Sequence, residues 1–387
     1  MKNRLSHKVQ ATKNGFLENV AKKSKVFWVA LTAIMMLISP IASLVALAIA
    51  DDQSNLIDSL AEGVVGINDV ELKALLAEGI IDELTPLPIE IESLERREEG
   101  GFAYISDYTG VIIPEYSDGL VVLSGNDGRA DIYMGIATTE EVEGILIDDH
   151  LILYEGEGYG ITVEVFEGGI RQTFVIERSD SPTYFVVEYD LPEGAYLAFS
   201  YGEDGLTDGS VLLHDGQGDT FGAIDIPWAK DVTGEIVPTY FEIDGNRLIQ
   251  HVHHSDAFMY PIVADPTTFS THFRAGYWST RGGWTTLNLT PTLRLRARGL
   301  VATGNFARRA FSAVVVDSWN QVVRRHRGQR GWTNTAARNN SMFGQYVCHF
   351  YFGWFDAQWN LELWRPHVST AAMIRHRCNP PRAAGPR

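Results

Sequence analysis

The sequence predicts a mainly β protein in two parts. An acidic N-terminal module forms an antiparallel β-sandwich or barrel, and a small basic α+β domain closed by a disulfide follows it. Three observations carry this expectation: short alternating apolar runs divided by turn residues fill 101–266, the charge changes sign at Asp265-Pro266, and both cysteines fall after that point. Period-2 alternation broken by Gly, Asn and Asp every 8 to 15 residues is the pattern of half-buried strands joined by tight turns. Residues 51–266 hold 8 Lys and Arg against 45 Asp and Glu, a net charge of −37. Residues 267–387 hold 17 Arg, no Lys and three carboxylates, a net charge of +14. That asymmetry points to a partner of opposite sign, which is either an external polyanion or the other half of the chain.

Residues 1–50 read as an export signal. Seven lysines and arginines precede the apolar run Val26–Ala50, and Ala48-Ile49-Ala50 followed by Asp51 has the form of a cleavage site between Ala50 and Asp51. The run is also long enough to span a bilayer, so an uncleaved signal would be the route to a membrane. The expected compartment is therefore extracellular or cell-envelope associated. Residues 51–100 read as an acidic helical segment and linker: Asn68-x-x-Glu71 fits a capping box, "VELKALLAEG" keeps helical spacing, and Gly79 suits the stop.

The acidic β-rich module at 101–266 contains such runs as "GITVEVFEGG" and "TYFVVEYDLPEG". Asp215-x-Gln217-x-Asp219 resembles the start of a calcium loop, but Thr220 and Ile226 stand where Gly and Glu belong, so a polar hairpin loop is the better account. His251 and His253 would share one face of a strand with Asp256 nearby, which makes them the metal candidates. Without a second cluster they read as ordinary strand residues, and no cofactor is expected.

"PWAKD", "VPTY" and "YPIVADP" occur in that order at 227–266, and "LNLTPTLR", "SMFGQYVCH", "WNLELWRP" and "CNP" follow. This succession resembles secreted actinobacterial proteins in which PWAxD, VPTxY and YPVVADP motifs precede a variable C-terminal domain. Here that domain is similar to a family known only as a domain of unknown function. The resemblance covers roughly 220–387. It implies export, modularity and a domain start shortly after Pro266, and it brings no activity with it.

The basic Arg- and Trp-rich domain, 267–387, should open with strands. In "TLRLRAR" the side chains of Arg294, Arg296 and Arg298 would project from one face. "DSWNQVVRRHRGQR" should be a helix capped by Asp317 or Ser318, with Arg324, Arg325, Arg327 and Arg330 gathered at its C-terminal end, where the macrodipole favours cations. Cys348 and Cys378 form an isolated pair in an exported chain, most simply a disulfide. Cys348 as a nucleophile beside His349 is the poorer reading, because adjacent residues point apart on a strand or a helix. Glu362 and Arg365 in "WNLELWRP" suit a charge-assisted pair pinning a loop to an aromatic core. The catalytic alternative makes Glu362 a general acid or base with His349 or His367 as partner, and Arg365 beside it.

Two functional classes remain. In the first, the arginine face binds a polyanion such as a cell-wall polymer, an acidic lipid or nucleic acid, and the acidic module serves as mask or pro-region. In the second, the C-terminal domain is a secreted hydrolase or toxin-like enzyme inhibited by that pro-region. The residues favour binding over catalysis.

Overall fold

The computed structural model describes residues 93–381, apart from positions 126, 138–140, 149, 203–204, 297–311, 333–334 and 354–355. The expected signal, its Ala50-Asp51 junction, the helix at 68–79 and Arg298 lie outside the described residues.

In chain order the strands are β1 (Glu95–Arg96), β2 (Phe102–Ile105), β3 (Thr109–Ile113), β4 (Leu120–Gly125), β5 (Ile132–Gly135), β6 (Ile145–Asp148), β7 (Leu151–Gly156), β8 (Tyr159–Phe166), β9 (Gly169–Ile176) and β10 (Tyr184–Asp190). There follow β11 (Tyr196–Tyr201), β12 (Thr207–His214), β13 (Thr220–Ile224), β14 (Ala229–Asp231), β15 (Thr239–Asp244), β16 (Arg247–Val252), β17 (Ile262–Ala264), β18 (Thr267–Phe269), β19 (Phe273–Arg281) and β20 (Trp284–Pro291). The helices α1 (Ala313–His326) and α2 (Ala336–Phe352), then β21 (Trp359–Glu362) and α3 (Thr370–Arg375), complete the described elements.

These strands pair antiparallel. The first sheet runs β1-β2-β3-β4-β5-β10-β16-β15, the second β11-β12-β13-β18-β9-β8-β7-β6, and the third β19-β20-β21; β17 links β14 to β9 in the second. The mainly β expectation holds. Residues of the first two sheets share one core, with Val111, Val121 and Ile132 from the first and Ile161, Phe174 and Leu213 from the second.

The second sheet is covered on both faces. Along β12, Val211 and Leu213 enter the core shared with the first sheet, while Leu212 between them enters a second core. That second core adds Phe166 and Phe269 to Leu287, Val314, Val322, Tyr346 and Trp359 from the C-terminal region. Period 2 places successive side chains on opposite faces, so one strand supplies both. Burial on two sides also explains why β9 is buried along its whole length rather than alternating.

Asp265-Pro266 is built into the sheet. The strands on either side, β17 and β18, both pair with β9. Asp265 is fully buried, with Oδ1 accepting from the Trp228 amide at 3.1 Å and Oδ2 from the Thr267 hydroxyl at 2.9 Å. Burial, helped by Asp225, pushes its carboxyl up to about 7 against those hydrogen bonds and Arg171. The described residues all belong to a single compact unit, so the change of charge occurs inside one folded body.

Two expectations from the basic segment are corrected. Residues 293–296 of "TLRLRAR" are helical, not extended, so Arg294 and Arg296 do not alternate with the leucines across a strand. The cap of α1 is Ser312, and Asp317 and Ser318 lie inside the helix, fully buried. Ser312 makes no side-chain capping bond; the Ser210 hydroxyl of β12 accepts from the Ala313 amide at 2.8 Å instead. The acidic half thereby satisfies a helix end of the basic half.

Candidate functional site

The contact between the two halves centres on Asp317. Its Oδ1 accepts from Arg129 Nη1 at 2.6 Å and from the Thr220 hydroxyl at 2.7 Å, and its Oδ2 from His272 Nε2 at 2.8 Å. Burial alone would raise this carboxyl, but Arg129, His272 and Thr220 outweigh it and hold it at about 2. Gln321, one turn further on, donates to Asp127 at 2.7 Å and accepts the His272 amide at 3.0 Å. No solvent reaches Asp317 or His272, so these residues lock the fold and face no ligand.

The arginines expected to form a binding face separate into two groups. Arg294 is buried, its guanidinium 4.2 Å from the centre of the Phe166 ring and 3.7 Å from Glu164. Arg296 is half-buried. Arg324 reaches back to the acidic half, lying 3.7 Å from Asp219 and donating to the Thr220 carbonyl at 3.2 Å. Arg325, Arg327 and Arg330 face solvent at the end of α1. Asp215 and Asp219 lie in a hairpin loop, where Asp215 accepts from the Gln217 and Asp219 amides at 2.9 Å.

His251 and His253 both stack against Tyr240, and His251 Nε2 contacts Glu242 at 2.9 Å; Asp256 is exposed in the following turn. Among the described residues no group of three or more His, Cys, Asp and Glu is arranged to hold a metal.

The catalytic candidates His349, Glu362 and Arg365 do come together. β21 adds to β20 in the register Asn288↔Asn360 and Thr286↔Glu362. Gln345 of α2 clamps the strand end, donating to the Glu362 carbonyl at 3.1 Å and accepting its amide at 3.0 Å. Cys348 and Cys378 are bridged across a Cα separation of 5.3 Å, within the usual range. The bridge brings Asn379 and Pro380 over β21, where both carbonyls accept from Arg365 Nη1 at 3.0 Å. Arg365 Nε also holds the Glu362 carboxylate, as the pairing expectation required. α2, β21 and the closing turn thus converge on one place.

A cleft of about 440 Å³ opens there. The β19–β20 hairpin forms one wall, its turn made by Gly282 and Gly283 at φ of 57° and 81°, values that glycine adopts at least cost. Arg281 and Trp284 flank that turn, and His349, Asp356, Asn360 and Glu362 line the interior. Burial, aided by Arg365, lowers His349 from its ordinary 6.5 to about 4, with the Asn360 backbone opposing. The Asn360 backbone lies near enough to favour the charged imidazole but makes no well-formed hydrogen bond with it, and the Asn360 side-chain oxygen has no partner among the described residues; all three side-chain atoms, the two ring nitrogens and this oxygen, are closed to solvent. Each such buried polar atom costs about 1–3 kcal/mol when unsatisfied.

The lowered His349 makes stability pH-dependent. A depressed folded-state pKa contributes stability that is present above the unfolded value near 6.5 and is lost as pH falls through about 4. Urea unfolding of wild type and His349→Gln at pH 7 and near pH 4 should show wild type losing roughly 3 kcal/mol more than the variant. An equal loss in both proteins would contradict the assignment.

Sequence reasoning missed Asp317 as the hub and Arg281, Trp284, Asp356 and Asn360 as cleft residues. The signal for Asp317 was its place on an apolar helix face between Val314, Ser318 and Val322. The missed cleft residues lie in two separate stretches of chain, 281–284 and 356–360, and carry no spacing of their own.

Residues 273–381 match the model of a family described as a protein of unknown function, DUF2599. No curated protein and no solved structure matches the chain.

Proposed function

We propose that this is an exported binding protein whose C-terminal domain holds an anionic polymer, such as a cell-envelope polymer or nucleic acid, on an arginine-rich surface. The observation that carries the reading is how the charges of 273–381 are distributed. Of its carboxylates, Asp317 and Glu362 are buried and paired, and only Asp356 reaches solvent, half-exposed. Arg281, Arg325, Arg327, Arg330, Arg375 and Arg377 are exposed. A surface with unbalanced guanidinium groups suits bidentate binding of phosphate or carboxylate. The Cys348–Cys378 bridge supports an oxidising compartment.

The acidic half acts here as a permanent scaffold with local masking. Arg324 already leans on Asp215 and Asp219, whereas Arg325 and Arg327 remain open. The hydrolase alternative gains the meeting of His349 with Glu362, but Arg365 already engages that carboxylate, and among the described residues no Ser, Thr, Cys or Lys lines the cleft.

The test uses the whole mature chain, because the two halves share a core. Binding to a teichoic polymer or a DNA oligomer should weaken steeply with salt. Neutralising Arg325, Arg327 and Arg330 to Gln should flatten the log–log salt slope by roughly 0.7–0.9 for every phosphate that an arginine had neutralised. Absence of binding at low salt would overturn the reading.

A further inference from the structure

Building on the polyanion reading above, we propose that Arg324 is the anchor of the arginine-rich surface for a phosphate-bearing polymer, and that Asp219 is a built-in competitor which the polymer displaces.

The anchor is set by α1. Asp317, Asn320 and Arg324 follow one another at helical spacings of three and four, so all three lie on one face and meet Thr220 at the start of β13. The Thr220 hydroxyl donates to Asp317 at 2.7 Å and accepts from Asn320 Nδ2 at 3.2 Å. Arg324 Nη2 then donates to the Thr220 carbonyl at 3.2 Å. A guanidinium is thereby fixed at the surface, with 34% of its side chain exposed. The remaining N–H donors of its planar fork have no hydrogen-bond partner among the described residues. An anion bound there meets donors that are already ordered, so less side-chain freedom is lost than at Arg325, Arg327 or Arg330, which face solvent.

The competitor is set by the hairpin between β12 and β13. Asp215 Oδ1 accepts from the Gln217 and Asp219 amides at 2.9 Å, and the Asp215 amide donates to the Asp219 carbonyl at 2.8 Å. This closed turn holds both carboxylates towards Arg324, with Asp219 Oδ2 3.7 Å and Asp215 Oδ2 4.0 Å from Nη2. Both distances exceed a hydrogen bond, so the attraction is Coulombic only. The Asp219 side chain is 76% exposed, and its carboxylate makes no hydrogen bond among the described residues. Nothing but the charge of Arg324 therefore holds that carboxylate in place. An exposed pair of this kind contributes little, whereas a phosphate brings short, paired hydrogen bonds to the same fork. The phosphate wins the exchange, and Asp219 turns out into water while Asp215 stays tied into its turn. In the absence of ligand the hairpin partly neutralises Arg324 and so sets how strong an anion must be to engage it.

The test is a double-mutant cycle on the full mature chain, with a single-stranded DNA oligomer as the probe at low salt. Asp219→Asn should bind about two- to fivefold more tightly than wild type, the size expected of an exposed pair. Arg324→Gln should bind about tenfold more weakly, as loss of a charged hydrogen bond requires. In the Arg324→Gln background, Asp219→Asn should add nothing, because the carboxylate then competes for nothing. The advantage of Asp219→Asn should also fade as salt rises, since the contact it removes is open to screening. Thermal melts check that each variant folds. A gain from Asp219→Asn that persists in the Arg324→Gln background would reflect only the lower overall negative charge and would overturn the proposal. Wild-type affinity in folded Arg324→Gln, or in Asp219→Asn, would overturn it as well and leave the arginine-rich surface standing. Absence of binding by both wild type and Asp219→Asn would overturn the polyanion reading and this proposal together.

Discussion

Asp317→Ala is expected to destabilise the protein by about 3–5 kcal/mol, the cost of leaving a buried ion without its partner. Arg129 would remain buried, retaining Asp127 at 2.7 Å but losing its bond to Asp317, while Thr220 and His272 would lose their acceptor. Urea unfolding measures the effect, and a loss below about 1 kcal/mol would show that the network is not the lock described here. Replacing Arg129 by Met and Asp317 by Leu together should recover much of the loss, because a well-packed apolar pair removes both desolvation penalties. Arg325→Ala on the exposed side of the same helix should change stability by no more than about 0.5 kcal/mol. The pH dependence of the lock has a definite sign. Asp317 is depressed in the folded state, so its contribution is complete above the ordinary carboxylate range and fades as pH falls through about 2.

The second large effect is removal of the Cys348–Cys378 bridge. It closes a loop of sequence separation 30, for which chain-entropy arguments give roughly 3.5 kcal/mol. Cys348→Ser with Cys378→Ser should lower the thermal midpoint accordingly. Loosening should concentrate around Arg365, whose hold on the Asn379 and Pro380 carbonyls depends on the turn that Cys378 anchors. Hydrogen exchange of 359–381 against the rest of the chain separates this local loss from a global one. Uniform exchange changes would count against it. Because Cys348 and Cys378 are 0% and 3% exposed, reductant should act slowly on the folded protein and quickly once it unfolds.

The half-buried strands were legible because their environment is two-sided in a simple way: β10 alternates exposed and buried as its sequence alternates. The helix α1 was legible from its spacing and cationic end, and the disulfide from the isolation of two cysteines. "TLRLRAR" misled because alternation over a few residues is compatible with a helix whose arginine is buried. Phe166 and Glu164 on a distant strand accept Arg294, which no local pattern announces. The same holds for the sign change at Asp265. Read locally, opposite charges on two segments suggest two bodies, whereas here a few fully desolvated contacts, Arg129 to Asp317 above all, join them within one. His349, Glu362 and Arg365 were visible as residue types, but their meeting depends on a strand addition, a helix clamp and a bridge that only three-dimensional closure supplies.

The pairing of Arg129 with Asp317 spans 188 positions along the chain, and that distance governs the order in which the molecule can be completed. On refolding, Arg129 has Asp127 but lacks Asp317 until the segment that forms α1 arrives. Throughout that interval the outer face of the second sheet, with Leu212 and Ala223, has neither α1 nor β21 to cover it. Fragments ending before residue 313 should therefore be cut readily by protease. Chains extending past residue 381 should acquire resistance in a single late step.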